Sequence, residues 1–164
     1  MSKKLLISNE TEEVVEDIWD GVTYLPGRQE SNTWGTYNSS HTANWSSPEK
    51  YSIEFDITSS SLRGPTILLE GLTPGSKLTV YCEFEPSTLK YLANKVYYYT
   101  SDKTCLSNKW NGGPRNIKSP LTREYTLPDN CTCVSITFQL EFKDSTTYPY
   151  PQHALLKNIN FSIE

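Results

Sequence analysis

From Leu78 to Glu85 apolar and polar side chains alternate without a break: Leu78, Val80, Cys82 and Phe84 against Thr79, Tyr81, Glu83 and Glu85. A strand turns successive side chains to opposite faces, so this period of two makes one apolar and one polar face. Thr73-Pro74-Gly75-Ser76 stands just before it. Proline sets the φ of a turn's first central residue and glycine supplies positive φ at the second, which predicts a type II turn. A turn that feeds a two-faced strand marks an antiparallel sheet. The polar face of this strand carries no recognisable catalytic set.

The same alternation recurs along the chain. Lys50 to Ile57 places Tyr51, Ile53, Phe55 and Ile57 on one face, and Thr132 to Phe142 does so with Val134, Ile136, Phe138, Leu140 and Phe142. Leu155 to Glu164 repeats it with Ile159, Phe161 and Ile163. Shorter strands are predicted at 5–7, 22–25, 33–37, 65–70, 95–100 and 123–127, with Tyr97 and Tyr99 on one face of their strand and Val96 and Tyr98 on the other. Asp102 to Ser119 reads as a polar loop holding Trp110 and the Asn111-Gly112-Gly113-Pro114 breaker. The acidic stretch Glu10 to Asp20 fits a short helix and an irregular loop equally. About eight strands divided by turn signals predict an all-β, two-sheet antiparallel sandwich, and the long 100–122 connection favours a jelly roll. The 164 residues suit a single domain, 1–164.

A formal net charge of −4 gives no electrostatic footprint for nucleic acid. The apolar run after Met1-Ser2-Lys3-Lys4 is only Leu5 to Ile7, too short for a leader or a membrane span, so no membrane insertion is expected. Of the four cysteines, Cys82 falls on an apolar strand face, where a free thiol acts as a small hydrophobe. Cys131 and Cys133 form a C-x-C predicted to project from one strand face, with no second pair or histidine to complete a zinc site. Reduced thiols are the favoured reading, with two disulfides in any of three pairings as the alternative.

Three segments then resemble a known family. Gly71-Leu72-Thr73-Pro74-Gly75-Ser76-Lys77-Leu78-Thr79 is similar to the Pro-Gly strand of galactose-binding-like jelly rolls. Arg123 to Phe142 resembles their later strand pair, and the terminal Leu155 to Glu164, LLKNINFSIE, resembles their closing strand. The likeness covers about residues 50–164. Such domains serve as carbohydrate-binding modules in polysaccharide hydrolases and in tail or baseplate proteins of phages of Gram-positive bacteria; the closing strand looks most like the phage versions. These motifs determine a scaffold, whereas ligand choice lives in loops and on the exposed sheet face.

Sugar recognition needs a flat ring to stack on the sugar's C–H face and planar polar groups for its hydroxyls. Trp34, Tyr37 and Trp45 lie in a Gly/Ser/Asn-rich stretch, and Trp110 adjoins Asn111 and Gly112. Tyr81 and Tyr98 offer rings from strand faces, and Glu83 and Gln139 offer hydrogen bonds. For catalysis, His41 and His153 lack triad partners, and the strand-face carboxylates read as solvated charges. The chain is not expected to be an enzyme, and no cofactor is implied. A structural calcium is common in the resembling modules; Glu10, Glu12 and Asp17 have suitable oxygens, but no calcium-loop spacing is present.

The resemblance implies a non-catalytic carbohydrate-binding module of a phage tail or baseplate, its partners being cell-surface polysaccharide and other virion subunits. Its expected location is the virion or the extracellular surface, reached without a leader of its own. The rival readings are a structural or protein-interaction domain of a particle and an accessory module of a secreted glycoside hydrolase.

Overall fold

A strand with one apolar face is stable only when that face is covered, and here two such sheets cover each other. A computed structural model describes residues 22–25, 27–37, 44–46, 52–57, 64–85, 87–141, 149 and 151–164. Every regular element among them is a strand. In chain order these are β1 (Val22–Leu25), β2 (Asn44–Ser46), β3 (Ile53–Ile57), β4 (Thr66–Leu69), β5 (Lys77–Glu85) and β6 (Thr88–Leu89). They continue as β7 (Tyr91–Tyr99), β8 (Cys105–Asn111), β9 (Ile117–Lys118), β10 (Leu121–Thr126), β11 (Cys133–Glu141) and β12 (Gln152–Ile163).

The first sheet has the order β1-β4-β11-β7-β8, the second β10-β5-β12-β3-β2, and β6 pairs with β9. All neighbours are antiparallel. From β3 to β12 the chain crosses repeatedly between the two sheets, as in a jelly roll, apart from the β7–β8 hairpin within the first. The fold is thus the expected all-β sandwich.

The core follows the alternation. Val134, Ile136, Phe138 and Leu140 of β11 and Leu78, Val80, Cys82 and Phe84 of β5 face one another, all buried. Each fully buried side chain of this size contributes about 1.5–3 kcal/mol. The turn before β5 forms as expected: Gly75 takes φ +78° and the Ser76 amide donates to the Thr73 carbonyl at 3.3 Å. In β12 the inward residues change parity, from Ala154 and Leu156 to Ile159 and Phe161. The register shift between Lys157 and Asn160 absorbs that change, with Asn158 at φ +52°. An extra residue in one strand lets both halves bury their apolar side chains.

Three expectations are corrected. Residues 31–35 form bends and a turn, and 36–37 are irregular, so no strand runs here. Gly35 has φ +78°, and the Ser31 and Thr36 hydroxyls bond locally, which competes with a ladder. The stretch 102–119, expected as a loop, contains β8 and β9. An exposed edge strand needs no apolar face, so β8 shows no alternation to read. Cys131 enters the sandwich core while Cys133 faces outward beside Tyr97 and Tyr99, because β11 begins only at Cys133. All four cysteines are free. The segments 5–7 and 10–20 lie outside the described residues, as do Glu10, Glu12, Asp17 and His41.

Candidate functional site

The outward positions of β7 and β11 in the first sheet are Tyr91, Ala93, Lys95, Tyr97 and Tyr99, and Cys133, Ser135, Thr137 and Gln139. Residues 27–37 cross part of this face. The Gln29 amide donates to the hydroxyls of Thr66 and Thr137 at 3.2 and 3.4 Å, and its side chain donates to the Tyr99 hydroxyl. Thr66 in turn donates to the Gly27 carbonyl at 2.8 Å. Trp34 stands edge-on against Tyr99, centroids 5.0 Å apart, with Lys103 Nζ 5.1 Å from its own ring. Trp34 therefore seals this half of the face, and burial pushes the Tyr99 phenol up to about 12.

Toward the other end of the same face the rings are accessible. Trp110, near the end of β8, is 51% exposed, more than any other large apolar side chain described. It packs at a 37° tilt against Tyr91, centroids 6.1 Å apart. Its indole Nε1 donates to Gln139 Oε1 at 3.4 Å. Lys95 is opposite Trp110 in the ladder and donates to Asn108 Oδ1 at 2.8 Å. Arg115 holds its guanidinium 5.9 Å from the Tyr91 ring centre. Gly112 follows Trp110 by two residues and leaves the space that both ring tips occupy.

Behind this surface lies a polar network. Arg123, 8% exposed, donates to Asn94 Oδ1 at 3.0 Å and to the carbonyls of Asn111 and Leu92 at 3.2 and 2.7 Å. Tyr125 also donates to Asn94 Oδ1, at 3.0 Å, and Asn111 Nδ2 donates to the Tyr125 hydroxyl at 3.4 Å. No carboxylate among the described residues pairs with Arg123; burial lowers its pKa.

The candidates named from sequence divide among five places. Trp110 and Gln139 meet directly, but Gln139 is buried, 6% exposed, so its amide supports the Trp110 indole from beneath and is not open to a ligand as expected. Trp34 and Tyr37 lie on the segment across the same face, Tyr37 at its exposed end. Tyr81 and Glu83 face outward on the second sheet, where the Tyr81 hydroxyl donates to Glu83 at 2.8 Å. That bond, then one from Asn158, holds the Glu83 carboxyl below the usual carboxylate range. Trp45 is in edge strand β2, opposite Phe55; its side chain lies outside the described residues. Tyr98 is a correction: it points with Val96 into the core, 5% exposed, and offers no ring to a ligand. Burial pushes its phenol up to about 12.

Tyr91, Lys95, Asn108 and Arg115 are additions. Counting back in twos from Tyr97 places Lys95 and Tyr91 on its face, a signal visible once β7 is extended to Tyr91. At the far end of the β7–β8 hairpin is an open depression lined by Thr100, Asp102, Asn130 and Thr132, with no aromatic ring. Its Asp102 carboxylate is held by Thr100 and Thr104, which also lower its pKa. Among the described residues no three His, Cys, Asp or Glu side chains gather as a metal site.

No family model matches the sequence, and no curated protein matches it. Solved structures share its fold. The enzymatically active domain of tailspike protein 4 of bacteriophage CBA120 is similar over 97% of this chain, at TM-score 0.54 and 12% identity. The Gap123 glycosylation-associated protein complex from Streptococcus agalactiae is similar over 88%, at TM-score 0.52 and 11% identity. More distantly, a CBM4 structure is similar over 74% of this chain and 78% of its own length, at TM-score 0.47 and 16% identity. This chain spans 21% of the tailspike chain and 45% of the Gap123 chain. At such identities the likeness is one of fold.

Proposed function

We propose that this protein is a non-catalytic carbohydrate-binding module whose sugar rests on the Trp110–Tyr91 rings. The observation that carries the reading is Trp110: a half-exposed indole on an outer sheet face, tilted on a second ring and bonded to a planar amide. An apolar ring edged by fixed donors and acceptors is the equipment of a sugar subsite. The setting we propose is the tail or baseplate of a phage, with host cell-surface polysaccharide as the ligand. The fold shared with a phage tailspike domain is compatible with that setting. A single shallow subsite binds weakly, and repeated copies on a particle raise the avidity.

The purified protein, titrated against a panel of bacterial cell-surface polysaccharides, tests the reading. Saturable binding that Trp110→Ala loses, while its unfolding midpoint stays at the parent value, is the expected result. Equal binding by Trp110→Ala, or none by the folded parent across the panel, overturns it.

A further inference from the structure

The Trp110–Tyr91 rings stand in the most basic stretch of an acidic chain. Of 15 basic and 19 acidic residues, residues 87–121 hold six basic and one acidic, Asp102. Asp102 lies beyond the other end of the β7–β8 hairpin, seven residues past Lys95, or about 20 Å along the strand direction. Lys103 shares that far end and is paired with Glu70 at 2.9 Å. Arg115 stands over Tyr91 at the ring end, and Lys95, opposite Trp110 in the ladder, holds its ammonium on Asn108, 5.4 Å from the Tyr97 ring on the same face. Neither forms an ion pair with a described carboxylate. Glu141 is opposite Tyr91 in the ladder and is the acid nearest in register.

A second observation is independent of the surface charges. Arg123 is buried immediately beneath Gly113, so close that a β-carbon there would strike its Nη2. It donates to three neutral amide oxygens and lies against the neutral Tyr125 phenol. These oxygens take up three of the five guanidinium N–H donors and leave the charge uncancelled, and a water-poor surrounding screens it weakly. A buried cation without a counter-charge is costly to hold, and an anion at the adjacent surface offsets that cost. The outer face of the second sheet differs: its lysines, Lys77 and Lys157, are paired with Glu124, Glu164 and Glu85.

We infer that the glycan held on the Trp110–Tyr91 rings is anionic, its charged groups met by Lys95 and Arg115 beside the rings and by the field of Arg123 behind Gly113. This rests on the sugar-binding reading above. The arginine fork suits the paired oxygens of a carboxylate, sulfate or phosphate. The patch is confined to one end of one sheet in a chain of net charge −4, which favours a short charged glycan segment over a nucleic acid crossing the whole surface.

Calorimetric titration with polygalacturonate, dextran sulfate and a teichoic acid, against neutral dextran and galactan, distinguishes carboxylate, sulfate and phosphate as the recognised group. One anionic polymer is expected to bind at least about tenfold more tightly than the neutral ones, less so as salt rises. Lys95→Gln and Arg115→Gln each weaken that binding by about threefold to tenfold, and Lys77→Gln on the other sheet leaves it unchanged. Neutral polymer preferred, with both variants as the parent, overturns the inference and leaves the sugar-binding reading standing. Anion binding that survives Trp110→Ala is bare ion exchange and overturns it, as does tighter binding of a single-stranded oligonucleotide. A folded protein that binds no polymer overturns both readings.

Discussion

A β-carbon added to Gly112 would fall 2.5 Å from Cη2 of Trp110, and closer still to the Tyr91 hydroxyl. Both are the tips of side chains, so Gly112→Ala moves the rings before it moves the backbone. Overpacking costs about 1–3 kcal/mol in a closed core, and with half-exposed rings free to move the low end, about 1 kcal/mol, is expected. The expected outcome is a small fall in the denaturation midpoint with glycan binding lost as fully as in Trp110→Ala. Parent-like affinity in Gly112→Ala would show that the ring arrangement does not make the site.

Much of the fold was legible because buried strands advertise themselves. β5 and β11 alternate cleanly, and their inward residues are those that the period of two names. β8 was hidden for the converse reason: at a sheet edge its polar side chains need no pattern, so Trp110 read as a loop residue although it belongs to a strand. The candidate site is legible in part: the sequence points to Trp110 and to the Gln139 that supports it, but nothing local separates Tyr98, which fills the core, from an exposed tyrosine. Lys95 and Arg115 join the rings only through the β7–β8 register and the path of the following loop.

Arg123 donates to three oxygens that no other described cation reaches. Arg123→Leu keeps much of the volume but strands the carbonyls of Leu92 and Asn111 without this donor. Buried acceptors left this way cost about 1–3 kcal/mol each, so a loss of about 2–4 kcal/mol is expected in urea unfolding. A loss below about 0.5 kcal/mol, within the ordinary range of surface substitutions, would mean that water reaches these groups freely.

Alkaline pH acts on the core. The Tyr98 phenol titrates near 10 in an unfolded chain and is pushed up to about 12 here, chiefly by burial; the Cys82 thiol rises from 9.0 to about 12 for the same reason. In the window between those values the unfolded chain has released protons that the folded chain retains. Stability is therefore full below about pH 9 and falls as pH climbs toward about 12. Urea midpoints across that range check the fall, and Tyr98→Phe should flatten its upper part. An unchanged slope in Tyr98→Phe would assign the loss to other groups.

The Tyr81–Glu83 pair separates the two sheet faces. Tyr81→Phe removes the hydroxyl that most lowers the Glu83 pKa, so the carboxyl should titrate closer to its ordinary value, as read by carboxyl-carbon NMR. Because this pair faces outward on the sheet opposite Trp110, glycan affinity in Tyr81→Phe should equal the parent's. Weaker glycan binding together with the shifted titration would move the site, or a second one, to the outer face of the β10-β5-β12 sheet.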